Sequence, residues 1–360
     1  MNIPVVDFSP YNLRENNVLD EHIVDLGRQL KSSFTEVGFV YLKNTGITQE
    51  EVSVSTLQFL TEPFLYTLNL GENRSLFKSN VILGQAGNAL EQMLVDHAMD
   101  ISKTFFLQPD EMKLPFSRKS VATNPNHGWV SSETERLNPS RPGDLKESFN
   151  MSSLRTDIVS IFNIYKKWPS PPAFRDIQTA FFLRCQELSL RVLRVMAHSL
   201  GLEPQVFLHA HRYIGSDENS TTLRTLYYPP VNSALVKEGQ LRCGEHSDYG
   251  SITLIFQSHG GGLQVLSRSG NYISAPSIPG TVLINIADLM QRWTSDYFIS
   301  AVHRVLLPPA GDSSTRQCLA FFVQPDNEAL ITCCDGSKKY PPVKSGAYLM
   351  ERFNDSYGRQ

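Results

Sequence analysis

Three residues have the types and spacing to hold a metal ion. His246 and Asp248 stand two apart in Gly244-Glu245-His246-Ser247-Asp248-Tyr249-Gly250, and His303 follows in Ser300-Ala301-Val302-His303-Arg304-Val305. If the first segment is a strand or strand edge, positions i and i+2 share a face, so the imidazole and the carboxylate converge on one ion inside a barrel. A His-x-Asp pair alone arises easily by chance, and it is the distant His303 that gives it weight. Two imidazoles and one carboxylate on one face of an octahedron leave three positions open, which is the arrangement of non-haem Fe(II) oxygenases. A zinc hydrolase would need only a tetrahedral site with one opening. Three open positions suit a chelating keto acid together with dioxygen. The far carboxylate of a dicarboxylic keto acid calls for a planar, bidentate cation, for which arginine is better suited than lysine. Arg316, at the head of Arg316-Gln317-Cys318-Leu319-Ala320-Phe321-Phe322, is the candidate, and one hairpin after His303 would bring it beside the metal.

These residues need rigid elements to hold them. From Tyr213 to Gln324 the chain breaks into short alternating or apolar runs between turn residues: Leu223 to Tyr228, Ser251 to Gln257, Gly262 to Leu266, Thr281 to Ile286, Ala301 to Leu306 and Cys318 to Val323. Short strands at such spacing predict a β-barrel or jelly roll. Ahead of them, Phe174, Ile177, Phe181, Leu188, Val192 and Val195 recur at helical spacing within about 172–200, with Gly201 as the stop, which predicts a long scaffold helix. Nearer the start, Ile23, Leu26, Leu30 and Phe34 predict a helix ended by Gly38, followed by a strand at Phe39-Val40-Tyr41-Leu42. Asp96 to Phe106 reads as a further helix. The expected fold is α+β with a mainly β core, a helical N-terminal region at 1–120 and a β domain at 121–360.

One stretch fits poorly. Residues 53–95 carry Pro63, Gly71, Gly84 and Gly87 with no sustained apolar period. Long structureless segments inside a compact domain are uncommon. The stretch reads either as an insertion packed on the surface or as a translated segment that transcript processing would ordinarily remove.

At 360 residues, 41% hydrophobic and with a net charge of -3, the chain can bury a large core and lacks the basic excess that nucleic acid or anionic lipid demands. The start Met1-Asn2-Ile3-Pro4-Val5-Val6-Asp7-Phe8 has neither the basic nor the apolar part of a signal peptide, and no apolar run would span a membrane. The five cysteines form no CxxC pair, so reduced thiols in a cytoplasmic protein are expected. Small-molecule partners follow; the oligomeric state is not encoded legibly.

The sequence resembles the isopenicillin N synthase-like, plant-type branch of the 2-oxoglutarate and Fe(II)-dependent dioxygenases. The resemblance covers nearly the whole chain and rests on Val37-Gly38-Phe39-Val40-Tyr41-Leu42-Lys43-Asn44-Thr45-Gly46-Ile47, Tyr227-Tyr228-Pro229-Pro230, His246-Ser247-Asp248-Tyr249-Gly250-Ser251-Ile252-Thr253 and Gly261-Gly262-Leu263-Gln264-Val265. It continues through Asn285-Ile286-Ala287-Asp288-Leu289-Met290-Gln291-Arg292-Trp293-Thr294 to His303-Arg304-Val305. It implies a double-stranded β-helix core, with His246, Asp248 and His303 as iron ligands and Arg316 as the 2-oxoglutarate anchor. The implied reaction is oxidation, with hydroxylation as the default, of a small organic molecule by dioxygen, with release of succinate and carbon dioxide and with ascorbate as a candidate reductant. Two alternatives stay open: an Fe(II) oxidase of isopenicillin N synthase type that uses no 2-oxoglutarate, and a non-catalytic or misfolded isoform caused by the stretch at 53–95.

The chain departs from the family pattern at three places. Cys318 stands where the family commonly has serine, and a thiol is the weaker donor. Leu226 stands where asparagine often precedes Tyr-Tyr-Pro, which leaves Tyr228 as the polar co-substrate contact of that segment. Removing 53–95 would join Glu50-Glu51-Val52 to Asp96-His97-Ala98 and restore a single helix. For the substrate pocket the candidates are Phe149, in Gly143-Asp144-Leu145-Lys146-Glu147-Ser148-Phe149-Asn150, and Tyr249. His209-x-His211 reads as structural or exposed rather than a metal pair, and Trp168 and Trp293 as core anchors.

Overall fold

Alternation along the long strands sorts most of their side chains between two of three buried apolar clusters. The computed structural model describes residues 2–47, 94–118, 126–154, 168–171, 173–232 and 235–357. The stretch at 53–95 therefore lies outside the described residues up to residue 93, as does its junction at Glu50-Glu51-Val52. The strands are β1 (Val5–Asp7), β2 (Phe39–Lys43), β3 (Gly128–Val130), β4 (Glu147–Met151), β5 (Thr222–Tyr228), β6 (Cys243–His246) and β7 (Ile252–Gln257). They continue as β8 (Leu263–Leu266), β9 (Tyr272–Ser274), β10 (Thr281–Ile286), β11 (His303–Val305), β12 (Arg316–Val323), β13 (Leu330–Ile331) and β14 (Val343–Lys344). The main helices are α1 (Asp20–Glu36), α2 (Leu94–Phe106), α3 (Phe174–Ser199), α4 (Asp288–Trp293) and α5 (Ser345–Tyr357).

Eight strands form one sheet in the order β1-β2-β10-β7-β12-β5-β4-β3, and four form a second in the order β6-β11-β8-β9. Val40, Leu42, Leu254, Phe256, Leu319 and Phe321 point from the large sheet into a core shared with α1 and α3. Their neighbours Phe39, Tyr41, Ile255, Cys318 and Ala320 point the other way, into a smaller core shared with Cys243, Leu263, Val265 and Val305 of the second sheet. The period of two thus gives the long strands of the large sheet two buried sides, one apolar and covered by helices, the other mixed apolar and polar and covered by the second sheet. The metal-site residues lie in this second, inter-sheet layer.

The predicted helices at 20–38, 96–106 and 172–200 appear as α1, α2 and α3, with ends shifted by a residue or two, and Pro172 is outside the described residues. The two N-terminal strands join the large sheet through β2 against β10, so the sheet runs across residue 120. Some elements were not expected from the sequence, among them the edge pair β3 and β4, the hairpin partner β9, the short α4 and the C-terminal α5. Each is either short or amphipathic without a strong period, and it is tertiary pairing that holds it in place.

Gly38 shows how α1 is stopped and β2 launched. The N–H groups of Val37 and Gly38 both donate to Ser33 O, at 3.0 and 3.1 Å, and Gly38 has φ +77°. A Cβ there would lie 2.3 Å from Ile299 O, so the position needs glycine both for its backbone angle and for the close approach. Gly201, after α3, also has a positive φ, of +70°, but has nothing within 4 Å of its Cβ direction. Gly38→Ala is therefore expected to lower the melting temperature distinctly more than Gly201→Ala, whose cost is the left-handed backbone term of about 1 kcal/mol. Equal losses in thermal unfolding would contradict the close contact at Ile299.

Candidate metal centre

His246 ends β6 and His303 opens β11, and the two are direct cross-strand partners in the second sheet. Their ring centroids are 4.3 Å apart. Asp248 is not on a strand, because β6 stops at His246, so its convergence is made by the turn that follows. That turn is held by backbone hydrogen bonds from Asp288 N to Asp248 O (2.8 Å), Leu289 N to Tyr249 O and Met290 N to Gly250 O (both 3.2 Å). The first turn of α4 is thus what fixes the carboxylate. His246 Nε2 and His303 Nε2 each lie 3.8 Å from Asp248 Oδ1. One ligand atom from each of the three residues falls within 4.8 Å of the others, a spacing that fits one metal ion between them.

The remaining polar atoms are committed elsewhere, which leaves the inner ones to face a metal. His246 Nδ1 hydrogen-bonds Gly244 O at 2.8 Å and His303 Nδ1 hydrogen-bonds Ala301 O at 3.2 Å. A carbonyl can only accept, so both Nδ1 atoms carry a proton and Nε2 is the nitrogen each ring turns to the site, where its lone pair would ligate a metal. Asp248 Oδ2 accepts from Thr253 Oγ1 at 2.7 Å and from Asn285 Nδ2 at 2.8 Å, so Oδ1 is left for the ion. Burial pushes the His303 pKa down to about 4, aided by the neighbouring His246, so its ring is neutral at pH 7. Burial works to raise the Asp248 carboxyl, but His303, His246 and the two donors outweigh it and hold it below the usual carboxylate range. Neutral imidazoles beside an ionised carboxylate are the states in which these side chains ligate.

One lateral row of the large sheet forms the platform under the site. Phe39 pairs with Asn285, Asn285 with Thr253, Thr253 with Phe322 and Phe322 with Thr222, across five neighbouring strands. Phe39 meets the His303 ring edge-on at 5.5 Å. Glu245, between Gly244 and His246, faces outward and accepts from Arg141, Asn138 and Arg304. It thereby ties β6 to β11 and to the segment before β4.

Two cavities meet at His246 and Asp248. The inner one also reaches His303 and is lined by Tyr228, Cys243, Arg316 and Cys318. Arg316 is 1% exposed and stacks over the Tyr228 ring at 4.7 Å, and its Nη2 donates to Gln257 Oε1 at 2.8 Å. Its Nε and Nη1 have no partner among the described residues. Buried guanidinium N–H groups are rarely left unpaired, and a carboxylate in the inner cavity would complete them. The connection that delivers Arg316 is not the expected hairpin: β11 belongs to the second sheet and β12 to the first. It is Tyr228, the direct cross-strand partner of Arg316, that shares its side of the cavity.

The outer cavity opens beyond the metal residues and includes Tyr249, Arg224, Phe322 and Gln324. Phe149 lines neither cavity. It packs against Phe105 and Phe174 on the opposite side of the sheet, while its neighbour Asn150 faces Arg224. The reading of Phe149 thus missed the strand's phase by one residue. Thr253, Asn285, Arg224 and Gln324 went unrecognised in the sequence. For Arg224 a signal existed, a charge in the middle of a β-branched and apolar run. His211, by contrast, is structural as expected: its two nitrogens bond Phe207 O and Ser251 Oγ.

Known proteins bear directly on this geometry. The sequence pattern of the 2OG-Fe(II) oxygenase superfamily matches residues 219–325, the span from β5 through β12 that holds the three ligand candidates and Arg316. The chain is 33% identical to the proline hydroxylase buaE of Petromyces alliaceus over 71% of its length and 83% of that protein. It is 30% identical to the 2-oxoglutarate-dependent dioxygenase htyE of Aspergillus rugulosus, covering 67% of this chain and 77% of that one. Among solved structures, a full-length Neurospora crassa protein in complex with alpha-KG superposes with a TM-score of 0.71 at 27% identity, covering 97% of this chain and 95% of that one. A fold of the same kind, at 21% identity and a TM-score of 0.66, is that of JOX2 in complex with 2OG, Fe and JA, covering 100% of this chain and 87% of that one. The protein belongs to the 2OG-Fe(II) oxygenase superfamily and is an Fe(II)- and 2-oxoglutarate-dependent dioxygenase.

Proposed function

We infer that His246 Nε2, Asp248 Oδ1 and His303 Nε2 are the iron ligands, that Arg316 holds the far carboxylate of 2-oxoglutarate, and that the outer cavity binds a small organic molecule for hydroxylation. The observation that carries this is that Arg316 Nε and Nη1, both buried, have no partner among the described residues and sit at a cavity that ends at the three ligand candidates. Iron and 2-oxoglutarate, when bound, would activate dioxygen as the oxidant, with 2-oxoglutarate giving up two electrons as it decarboxylates to succinate, and the rest falls to this chain's own side chains. Thr253 and Asn285 keep Asp248 oriented and ionised. Tyr228 provides an aromatic face for Arg316, and its burial-raised pKa keeps the hydroxyl protonated and able to donate to a carboxylate. Cys318, buried beside Arg316, contributes the weaker donor. Tyr249 lines the substrate side.

The two facing sheets are read as the halves of a double-stranded β-helix, with 121–360 as the domain that carries the site and 1–120 extending its large sheet. Among the described residues no helix is long and apolar enough to cross a membrane. With all five cysteines free, a cytoplasmic location is the reading that fits. The relatives act on varied molecules: one is a proline hydroxylase, and the Neurospora crassa protein is also solved with thymine. A compact, polar organic substrate is in keeping with both.

Anaerobic addition of 2-oxoglutarate to the Fe(II) protein should produce a visible absorption band, and Arg316→Gln should require at least about 10-fold more 2-oxoglutarate to reach it, as loss of a charge-assisted hydrogen bond implies. No band in the wild type would remove 2-oxoglutarate from the reading. Cys318→Ser restores the stronger donor and is expected to lower the half-saturating 2-oxoglutarate concentration; an increase would argue that the thiol makes no contact. Thr253→Val removes one of the two hydrogen bonds on Asp248 Oδ2 and should weaken Fe(II) binding by about 10-fold in a chelator competition, with the fold retained by circular dichroism. Unchanged iron affinity would mean that Asp248 needs no such support.

A further inference from the structure

Two guanidinium groups lie near the Tyr228 ring. The central carbon of Arg316 is 4.7 Å from the ring centre and that of Arg242 is 5.9 Å from it. Both arginines are 1% exposed. Arg316 borders the inner cavity and Arg242 does not, so Arg242 can act on a molecule bound there only through its charge or through these two neighbours.

Among the described residues the hydrogen bonds of both arginines go to neutral acceptors. Arg316 Nη2 donates to Gln257 Oε1 at 2.8 Å, and Arg242 Nη2 donates to Ser314 O at 2.7 Å and to Pro229 O at 3.4 Å. Arg242 Nε, like Nε and Nη1 of Arg316, is buried without a partner there. Asp312 offsets Arg242 in part, but it is exposed, and solvent weakens its effect. Burial, and after it the like charge of Arg316, holds the Arg242 guanidinium below its ordinary pKa, so the two cations feel each other. The other charged groups on the inner cavity are committed elsewhere. Lys146 pairs with Glu135 at 2.9 Å and with Asp144 at 2.5 Å, and Arg224 pairs with Glu135 at 3.1 Å. Asp248 stands with His246 and His303. Buried charges without a counter-ion are costly, and one anion at the Arg316 end would relieve both guanidinium groups at once.

We propose that Arg242 is a specificity-determining residue of the co-substrate site: without touching the keto acid, it adds a second positive charge beside Tyr228 and Arg316, and so favours a keto acid with a carboxylate at its far end over one whose far end is uncharged. The inference deepens the reading of Arg316 as the anchor and rests on it. It gives Arg242 a role apart from its hydrogen bonds to Pro229 and Ser314, which tie the end of β5 to the segment before β12. A tie of that kind shapes the pocket for every keto acid alike, whereas the charge acts chiefly on the far carboxylate.

The test is anaerobic titration of the full-length Fe(II) protein with 2-oxoglutarate and with 2-oxopentanoate, each followed by the visible absorption band. The second acid has the same chelating end and chain length, with a methyl group in place of the far carboxylate. The unsubstituted protein is expected to prefer 2-oxoglutarate. Arg242→Gln should raise the half-saturating 2-oxoglutarate concentration about 10-fold and change that of 2-oxopentanoate by less than about 2-fold, as loss of one nearby charge implies. Arg242→Lys, which keeps the charge but not the planar fork, should keep most of the preference. Equal weakening of both acids in Arg242→Gln would make Arg242 a structural tie and overturn the proposal. So would a preference that survives in Arg242→Gln, or one lost as fully in Arg242→Lys; the anchor reading would stand in all three cases. No preference for 2-oxoglutarate in the unsubstituted protein, or no band at all, would overturn both. If Arg242→Gln does not fold, Arg242→Met, an uncharged and apolar chain for a buried position, gives the same comparison.

Discussion

A carboxylate that is almost wholly buried between two imidazoles has to be compensated, and this chain does so around Asp248 from two sides, leaving the side shared with the imidazoles to a metal cation. His246 and His303 lie 3.8 Å away on one side. Thr253 and Asn285, direct partners across β7 and β10, donate to the other oxygen. The first turn of α4 pins the backbone through Asp288 N. Each compensation depends on strand register: a slip of one residue in β10 against β7 would turn Asn285 away and leave a buried charge with one donor fewer, a change costing several kcal/mol. The registers of β2, β10, β7, β12 and β5 are therefore coupled to one another through the site they jointly floor.

The same register separates the two halves of the chemistry. Moving along β12 in steps of two leads from the basic end, where Arg316 stacks over Tyr228, past Cys318 and Ala320 to Phe322 at the junction and Gln324 beyond it. Small side chains in the middle of that row leave the space, and large or polar ones at its ends define what can fill it. Strands of alternating character are well suited to this, because their outward residues are occupied with the helical core against α1 and α3 and place no demand on the inward ones.

Much of this was legible in the sequence, and the parts that were not share a cause. The candidate ligands, Arg316, Tyr228 and Tyr249, all of which border the two cavities, stood out as candidates because their types are chemically specific and because neighbouring motifs carried a family resemblance. The helices α1, α2 and α3 could be named because their apolar period is long. Thr253 and Asn285 look like any polar residue in a strand until the pairing of β7 with β10 is known, and pairing between distant strands leaves no local mark. Phe149 was misjudged for a related reason. In a short edge strand apolar residues face both sides, so composition does not reveal the phase, and the polar Asn150 beside it was the inward one. Asp248 joins the cluster by a turn rather than by strand alternation, so the structure brings the expected residue there by a route that strand geometry did not foresee.

The central claim is that the three converging side chains make this chain consume 2-oxoglutarate through iron. Succinate formed from 2-oxoglutarate under air, by protein reconstituted with one equivalent of Fe(II), tests it most directly when compared with Asp248→Ala prepared in the same way. The account predicts iron-dependent succinate from the unsubstituted protein and its loss in Asp248→Ala. No succinate from the iron-loaded protein, or equal amounts from both, would contradict it.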